Sequence, residues 1–279
     1  MNQGIVVIGI GLLLIVVGIV AGVVGRLAAR KVRVMTATKT SRLGDLLPSF
    51  EAVREELGGS SSEMHQTVEL KGHVACDAPV VGELSKQTAA VVHTRVSREV
   101  EVLQRTRDKN GRTQERWVRS TEHVHSNEVE APFFLDDGTG RVRIRPAGAN
   151  LDLTEVVDRF EQPTTVEQSS GSISLGSFSF SFSTTLGSGK RTIGYRFQES
   201  ILPLNAELYV LGELSDTGDG LAVRDSDRDD RPFIVSTKGE ESLVRSGKST
   251  AKWGKIGGLA AFGIGLVVTA VGAILLVLA

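Results

Sequence analysis

The chain has 279 residues, a formal net charge of −1 and 41% hydrophobic residues. This near-neutral balance lacks the basic excess that nucleic-acid binding draws on, so no nucleic-acid partner is expected. The single cysteine, Cys76, excludes an internal disulfide framework and a cysteine-rich zinc module.

Residues 4–27 carry no charge before Arg26, and Arg30, Lys31 and Arg33 follow closely. About 20 apolar residues at 1.5 Å each cross a hydrocarbon core of about 30 Å, so 4–27 predicts a first transmembrane helix. The run lacks a basic n-region and is longer than a signal-peptide core, which predicts an uncleaved anchor. A second apolar run, 256–279, ends the sequence and is preceded by Arg245, Lys248, Lys252 and Lys255. Both inner flanks are basic and both outer ends are bare. The positive-inside rule therefore predicts a cytoplasmic middle domain with both termini outside, most simply in a prokaryotic plasma membrane. The bilayer is the first expected partner.

Small residues stripe both spans: Gly4, Gly11, Gly18, Gly22 and Gly25 in the first, Gly254, Gly258, Ala261, Gly265 and Gly272 in the second. Such stripes let helix backbones approach closely. They predict a packing face, within the chain as a hairpin or between chains as self-association.

Residues 35–62 form a linker. Leu43, Leu46, Leu47, Phe50, Val53 and Leu57 recur at helical spacing, with Pro48 at a helix start and Gly58 to Ser62 as a hinge. The mixed charges Glu51, Arg54, Glu55 and Glu56 favour packing on protein over lying on lipid. From 63 to 245 short strands dominate: 67–75, 89–97, 99–103, 113–124, 129–135, 141–145, 192–202, 207–214 and 232–236. Asn110-Gly111 marks one hairpin and Asp136 to Gly140 another, whereas 151–160 reads as a short loop or helix. The class is mainly β, an antiparallel barrel or sandwich between two transmembrane helices.

Phe178, Phe180 and Phe182 alternate inside a Ser/Gly-rich stretch, 169–189. They face the membrane or a partner, or else form the buried side of an ordinary strand. The acidic stretch 215–230 lacks the glycine and terminal glutamate of a calcium loop and reads as solvated. His123 with His125, and His73 with Cys76, do not complete a zinc ligand set, and a Cys76–His73 nucleophile pair is the weakest of the chemical readings. Gly187 to Lys190 fails the phosphate-loop spacing, and no GxSxG or HExxH occurs. No catalytic residue, metal or cofactor is expected.

The order of Val68 to Cys76 (VELKGHVAC), Val91 to Arg98, Phe133 to Val142 (FFLDDGTGRV), Pro146 to Ala149, Arg196 to Glu199 (RFQE), Ala206 to Glu213 (AELYVLGE) and Pro232 to Lys238 resembles the GIDE domain family. The resemblance implies a β-domain held between two membrane helices, and in eukaryotic members a RING finger after the second helix that recruits a ubiquitin-charged enzyme. It also implies a domain in the intermembrane space, against which the charges of this chain predict the cytoplasm. This sequence stops at Ala279 without RING ligands. It predicts a membrane-bound binding or assembly module with an unidentified protein partner, non-catalytic by itself. The alternative that the family name implies is a component of a ubiquitin ligase system, acting through a separate partner in membrane or organelle organisation.

Overall fold

A computed structural model of the chain describes residues 3–56, 65–107, 111–162, 172–175, 178–181, 189–216, 220–228 and 231–277. It is mainly β, with antiparallel sheets between two long apolar terminal helices, as the strand pattern predicts. The chain divides into two compact units. The first comprises Met1–Lys71, Pro146–Asn150 and Tyr209–Ala279; the second comprises Gly72–Arg145 and Leu151–Leu208.

In the first unit, α1 (Gln3–Ala37) and α3 (Glu240–Val277) pack against each other in antiparallel fashion. Both are long and apolar enough to cross a membrane. Each continues beyond its apolar run into the basic flank, because nothing between Leu27 and Met35 breaks the helix. Buried positions of α1 recur every seven residues from Gly4 through Gly11, Gly18 and Gly25 to Val32, before the buried Met35 at its base, and those of α3 at Gly258, Gly265 and Gly272. A strict seven-residue repeat keeps one seam facing the partner helix. The approach is backbone to backbone. A methyl built on Gly18 would sit 2.6 Å from the Phe262 amide nitrogen and 2.8 Å from the Gly258 carbonyl oxygen.

The bases of both helices are planted in a sheet. Met35 is buried with Tyr209, Leu211 and Ile234, and Val34, Leu243 and Val244 pack around them. The sheet strands are β12 (Glu207–Asp216), β13 (Leu221–Arg224) and β14 (Ile234–Ser236), with β12 between the other two. Between α1 and β1 (His65–Cys76), α2 (Leu43–Glu56) buries Leu43, Leu46 and Phe50 on one face, the protein-packing role expected of it. Pro48 lies inside this helix rather than at its start. Its missing N–H costs one rung of the helix, which the buried leucine and phenylalanine face offsets. The expected hinge, Gly58 to Ser62, lies outside the described residues.

The second unit is built on β3 (Thr88–Arg107). One edge of β3 carries β2 (Val80–Val81) and then β4 (Thr113–Glu130); the other carries β11 (Lys190–Pro203), which in turn pairs β8 (Thr154–Glu161). The hairpin at Gly111 is as expected, with Arg107 opposite Thr113. Its strands run longer than the sequence suggests, because 89–97 and 99–103 are one strand and the return reaches Glu130 before Pro132. A second hairpin joins β5 (Phe133–Asp136) to β6 (Arg141–Ile144). Its turn is closed by Asp137 Oδ1, which accepts from the Thr139 and Gly140 amides at 2.8 and 3.0 Å. Residues 151–160 are a correction. They form the end of β7 (Asn150–Asp152) and most of edge strand β8, because pairing with β11 decides the conformation of a segment with little pattern of its own. β9 (Ser172–Leu175) and β10 (Phe178–Ser181) form a short hairpin.

The seam yields a contrast between two glycines of one GxxxG pair. A methyl on Gly22 would meet nothing within 4 Å, since four residues past Gly18 lies about 50° off a 3.5-residue seam. Gly18→Leu should cost about 1–3 kcal/mol or more and lower the Tm in detergent by roughly 3–10 °C, whereas Gly22→Leu should leave it unchanged. Thermal unfolding of the two purified variants checks this.

Candidate functional site

The glycine face expected from the sequence sorts into two groups. Gly11, Gly18, Gly25, Gly258, Gly265 and Gly272 are buried at the seam, and Gly254 adds a close approach, 2.6 Å from a built methyl to the Gly25 Cα. Ala261 is half-buried. Gly22 offers its backbone to Gly258, but its missing side chain faces open space. The outward faces carry Leu13, Val17, Leu259 and Val267, all exposed. An exposed apolar surface around a packed glycine seam is what lipid, not water, solvates.

The basic flank follows at one end of the hairpin. Arg26, Arg30, Lys31 and Arg33 lie on α1; Arg245, Lys248, Lys252 and Lys255 lie on α3. The Gly25–Gly254 contact brings Arg26 level with Lys252 and Lys255. Trp253, 67% exposed, stands beside them, a pairing of aromatic and basic side chains that is common at membrane–water interfaces. Of the expected phenylalanine contact, Phe182 lies outside the described residues. Phe178 and Phe180 fall in β10, whose side chains are likewise not described.

The motif segments place three buried carboxylates, and each is hydrogen-bonded within the fold. Glu69, 1% exposed, accepts from the Thr40 hydroxyl at 2.6 Å and the Tyr209 hydroxyl at 3.0 Å, with Lys71 3.6 Å away. Lys71 in turn binds Glu240 at the start of α3 at 2.7 Å. Burial and the neighbouring Glu69 push the Tyr209 hydroxyl well above its ordinary range, so it stays a donor. Glu213 accepts from the Ser226 hydroxyl at 2.6 Å and from Arg231 at 3.2 Å, and meets His65 Nδ1 at 2.7 Å. Burial raises its carboxyl, but the hydrogen bonds from Ser226 and His65 and the electrostatic attraction of His65 and Arg231 outweigh burial and hold it below the usual range. Glu199, fully buried in the second unit, accepts from the Leu84 and Ser85 amides at 2.8 and 2.9 Å and from the Thr94 hydroxyl at 3.3 Å. It thereby closes the turn that carries Lys86 at φ 60°. Sequence reasoning missed these nodes. The signal was a lone glutamate inside an otherwise apolar strand, as in Tyr209 to Glu213.

The remaining chemical candidates stay apart. His73 and Cys76 are three apart on β1, so their side chains take opposite faces. Cys76 Sγ sits 3.4 Å from the Pro132 carbonyl oxygen. A β-bulge falls in the register at His123 and His125, so simple alternation does not hold there. Among the described residues no three histidine, cysteine or acidic side chains gather as metal ligands. The faces of β3, β4, β8 and β11 carry cross-strand ion pairs such as Arg98–Glu122 and Arg196–Asp158, and Arg191 stacks 4.5 Å over Trp117. Half-exposed pairs of this kind contribute little stability.

The sequence profile of GIDE, described as an E3 ubiquitin ligase, matches residues 102–271. This chain belongs to the GIDE family. Two Arabidopsis thaliana proteins are similar to it. E3 ubiquitin-protein ligase SP1 is 26% identical over 237 residues, 83% of this chain and 60% of that protein. E3 ubiquitin-protein ligase SPL1 is 32% identical over 122 residues, 43% of this chain and 32% of that protein. The chain thus spans between a third and three-fifths of the curated relatives it matches. No solved structure matches it. The GIDE signature segments found in the sequence carry the hairpin turn at Asp137 and the three buried carboxylates.

Glu199 gives a pH signature. Burial raises its carboxyl, but the amides of Leu84 and Ser85 and the hydroxyls of Ser85 and Thr94 outweigh burial and lower it below the ordinary 4.5. A folded value below the unfolded one adds stability that is complete above about 4.5 and is lost as pH falls through the folded value. Glu199→Gln should cost about 1–3 kcal/mol at pH 7, with the gap to the parent narrowing below about pH 4.5. Tm measured from pH 7 to pH 3 for both proteins checks this.

Proposed function

We propose that this GIDE chain is a membrane-anchored binding and assembly module, non-catalytic by itself, with its β units on the cytoplasmic side and both termini outside, in the simplest setting a prokaryotic plasma membrane. The observation that carries the reading is the disposition of its ionisable groups. The three buried motif carboxylates, Glu69, Glu199 and Glu213, each accept hydrogen bonds from within the scaffold, which places them out of reach of a substrate. The 279 residues hold one cysteine, whereas a zinc site of the RING type takes roughly three or four. The basic flanks at both inner helix ends support the orientation. Self-association, if it uses these helices, falls to their outward faces, because the glycine seam is filled within the chain.

The second reading is a component of a ubiquitin ligase system that acts through a separate partner. The printed names of both plant relatives and the family description favour it. The two readings divide on transfer. The purified chain, mixed with ubiquitin and its activating and conjugating enzymes, should form no ubiquitin chains under the first reading. A conjugating enzyme that binds it directly and discharges ubiquitin faster in its presence would establish the second.

Orientation is tested separately. In a Cys76→Ser background, a cysteine at Gln3 should react with a membrane-impermeant maleimide on intact cells. A cysteine at Arg116, exposed on β4, should react only after lysis. The reverse pattern would contradict the proposed topology.

A further inference from the structure

Between α1 and α3 runs a groove of about 710 Å³. Its floor opens at Gly22, where a methyl would meet nothing within 4 Å. Its walls are Ile19, Val23, Leu259 and Phe262, all apolar and exposed. Its volume falls within the roughly 300–1,000 Å³ of small-molecule sites. One end is different. There Arg26, Lys252 and Lys255 line it together, level with the interfacial Trp253.

Three features point to one occupant. From Gly18 to Arg26 the groove follows about 12 Å of helix, most of the roughly 15 Å depth of one leaflet of a 30 Å hydrocarbon core. The three cations stand where the headgroups of that leaflet begin. Among the described residues of the two helices, no carboxylate offsets them. α1 contains no acidic residue, and the acids of α3, Glu240 and Glu241, lie about 16 Å or more along the helix from Lys252.

We propose that this groove is a binding site for an anionic phospholipid of the leaflet beside the β units. One acyl chain lies along Gly22, and the phosphate is held by Arg26, Lys252 and Lys255. Basic pockets between membrane helices recognise acidic headgroups by this combination of charge and apolar depth. The site would couple the hairpin to the lipid composition of its membrane. The inference rests on the membrane-spanning part of the proposed function.

The test uses the full chain in nanodiscs of three parts phosphatidylcholine to one part phosphatidylglycerol, followed by native mass spectrometry. The wild type should retain one phosphatidylglycerol per chain, at least about tenfold in preference to phosphatidylcholine. Gly22→Leu fills the groove without touching the seam and should abolish that retention, and so should Arg26→Gln combined with Lys252→Gln and Lys255→Gln. Arg33→Gln combined with Arg245→Gln and Lys248→Gln removes equal charge from the same flanks outside the groove and should leave it intact. Retention that survives Gly22→Leu, or that is lost equally in both triple variants, would overturn the site in favour of diffuse surface charge. Equal retention of the two lipids by the wild type would also overturn it. Alkaline carbonate extraction separates the two failures: a protein released from the membrane refutes the spanning reading, whereas one that stays and shows no lipid preference refutes only the groove.

Discussion

A glycine in every seventh position of α1 sets how closely two long helices approach, and the rest of the membrane-facing structure depends on that distance. In lipid, leucine gains nothing by leaving one apolar surface for another, so helices pair through backbone contact and dispersion instead. The seam at Gly11, Gly18 and Gly25 supplies that contact against Gly265, Gly258 and Gly254. With glycine spent on the inside, leucine, isoleucine and valine cover the outside. The same register fixes which basic residues share a level, so the flanks of two segments far apart in sequence make one charged belt.

The hairpin does not end at the belt. Met35 and Val34 of α1 and Leu243 and Val244 of α3 pack with Tyr209, Leu211 and Ile234, so both helices continue into the core of the first unit. Glu69 secures the same place with polar bonds: Thr40 from the end of α1's connection, Tyr209 from β12, and Lys71 leading to Glu240 of α3. A buried carboxylate lacking one of these partners would carry an uncompensated desolvation penalty, which ties the four segments into one arrangement. The GIDE motifs therefore read as scaffold. Their buried glutamates Glu69, Glu199 and Glu213 are held by hydrogen bonds from within the fold.

Much of this is legible in the sequence. The two spans, the basic flanks, the Asn110-Gly111 hairpin and the mainly β class all follow from local signals whose physics is short-ranged. The strand at 154–161 is not, because TEVVDRFE has no clean alternation and takes its conformation from β11. Pro48 reads as a helix start since an interior proline costs a hydrogen bond; the buried face of α2 outweighs that cost. The GxxxG spacing groups Gly22 with Gly18, but the seven-residue repeat of Gly4, Gly11, Gly18 and Gly25 is the period the packing obeys, and it turns the missing side chain of Gly22 away from the seam. The buried glutamates escape a sequence reading because a single acidic residue in an apolar strand names no partner. Thr40 and Glu69, or Thr94 and Glu199, meet only through the fold.

The central claim is that α1 and α3 of one chain close on each other in this register. A methyl built on Gly247 lies 3.9 Å from the Val32 Cβ, inside the roughly 3.5–4.5 Å that a disulfide requires. The decisive measurement is oxidation of a Val32→Cys, Gly247→Cys, Cys76→Ser protein in its membrane, read by mass spectrometry after proteolysis and by non-reducing gel. The account predicts a disulfide within one chain, formed readily and without a dimer band. A disulfide only between chains, or none where a pair shifted by one helical turn forms it instead, would contradict the seam.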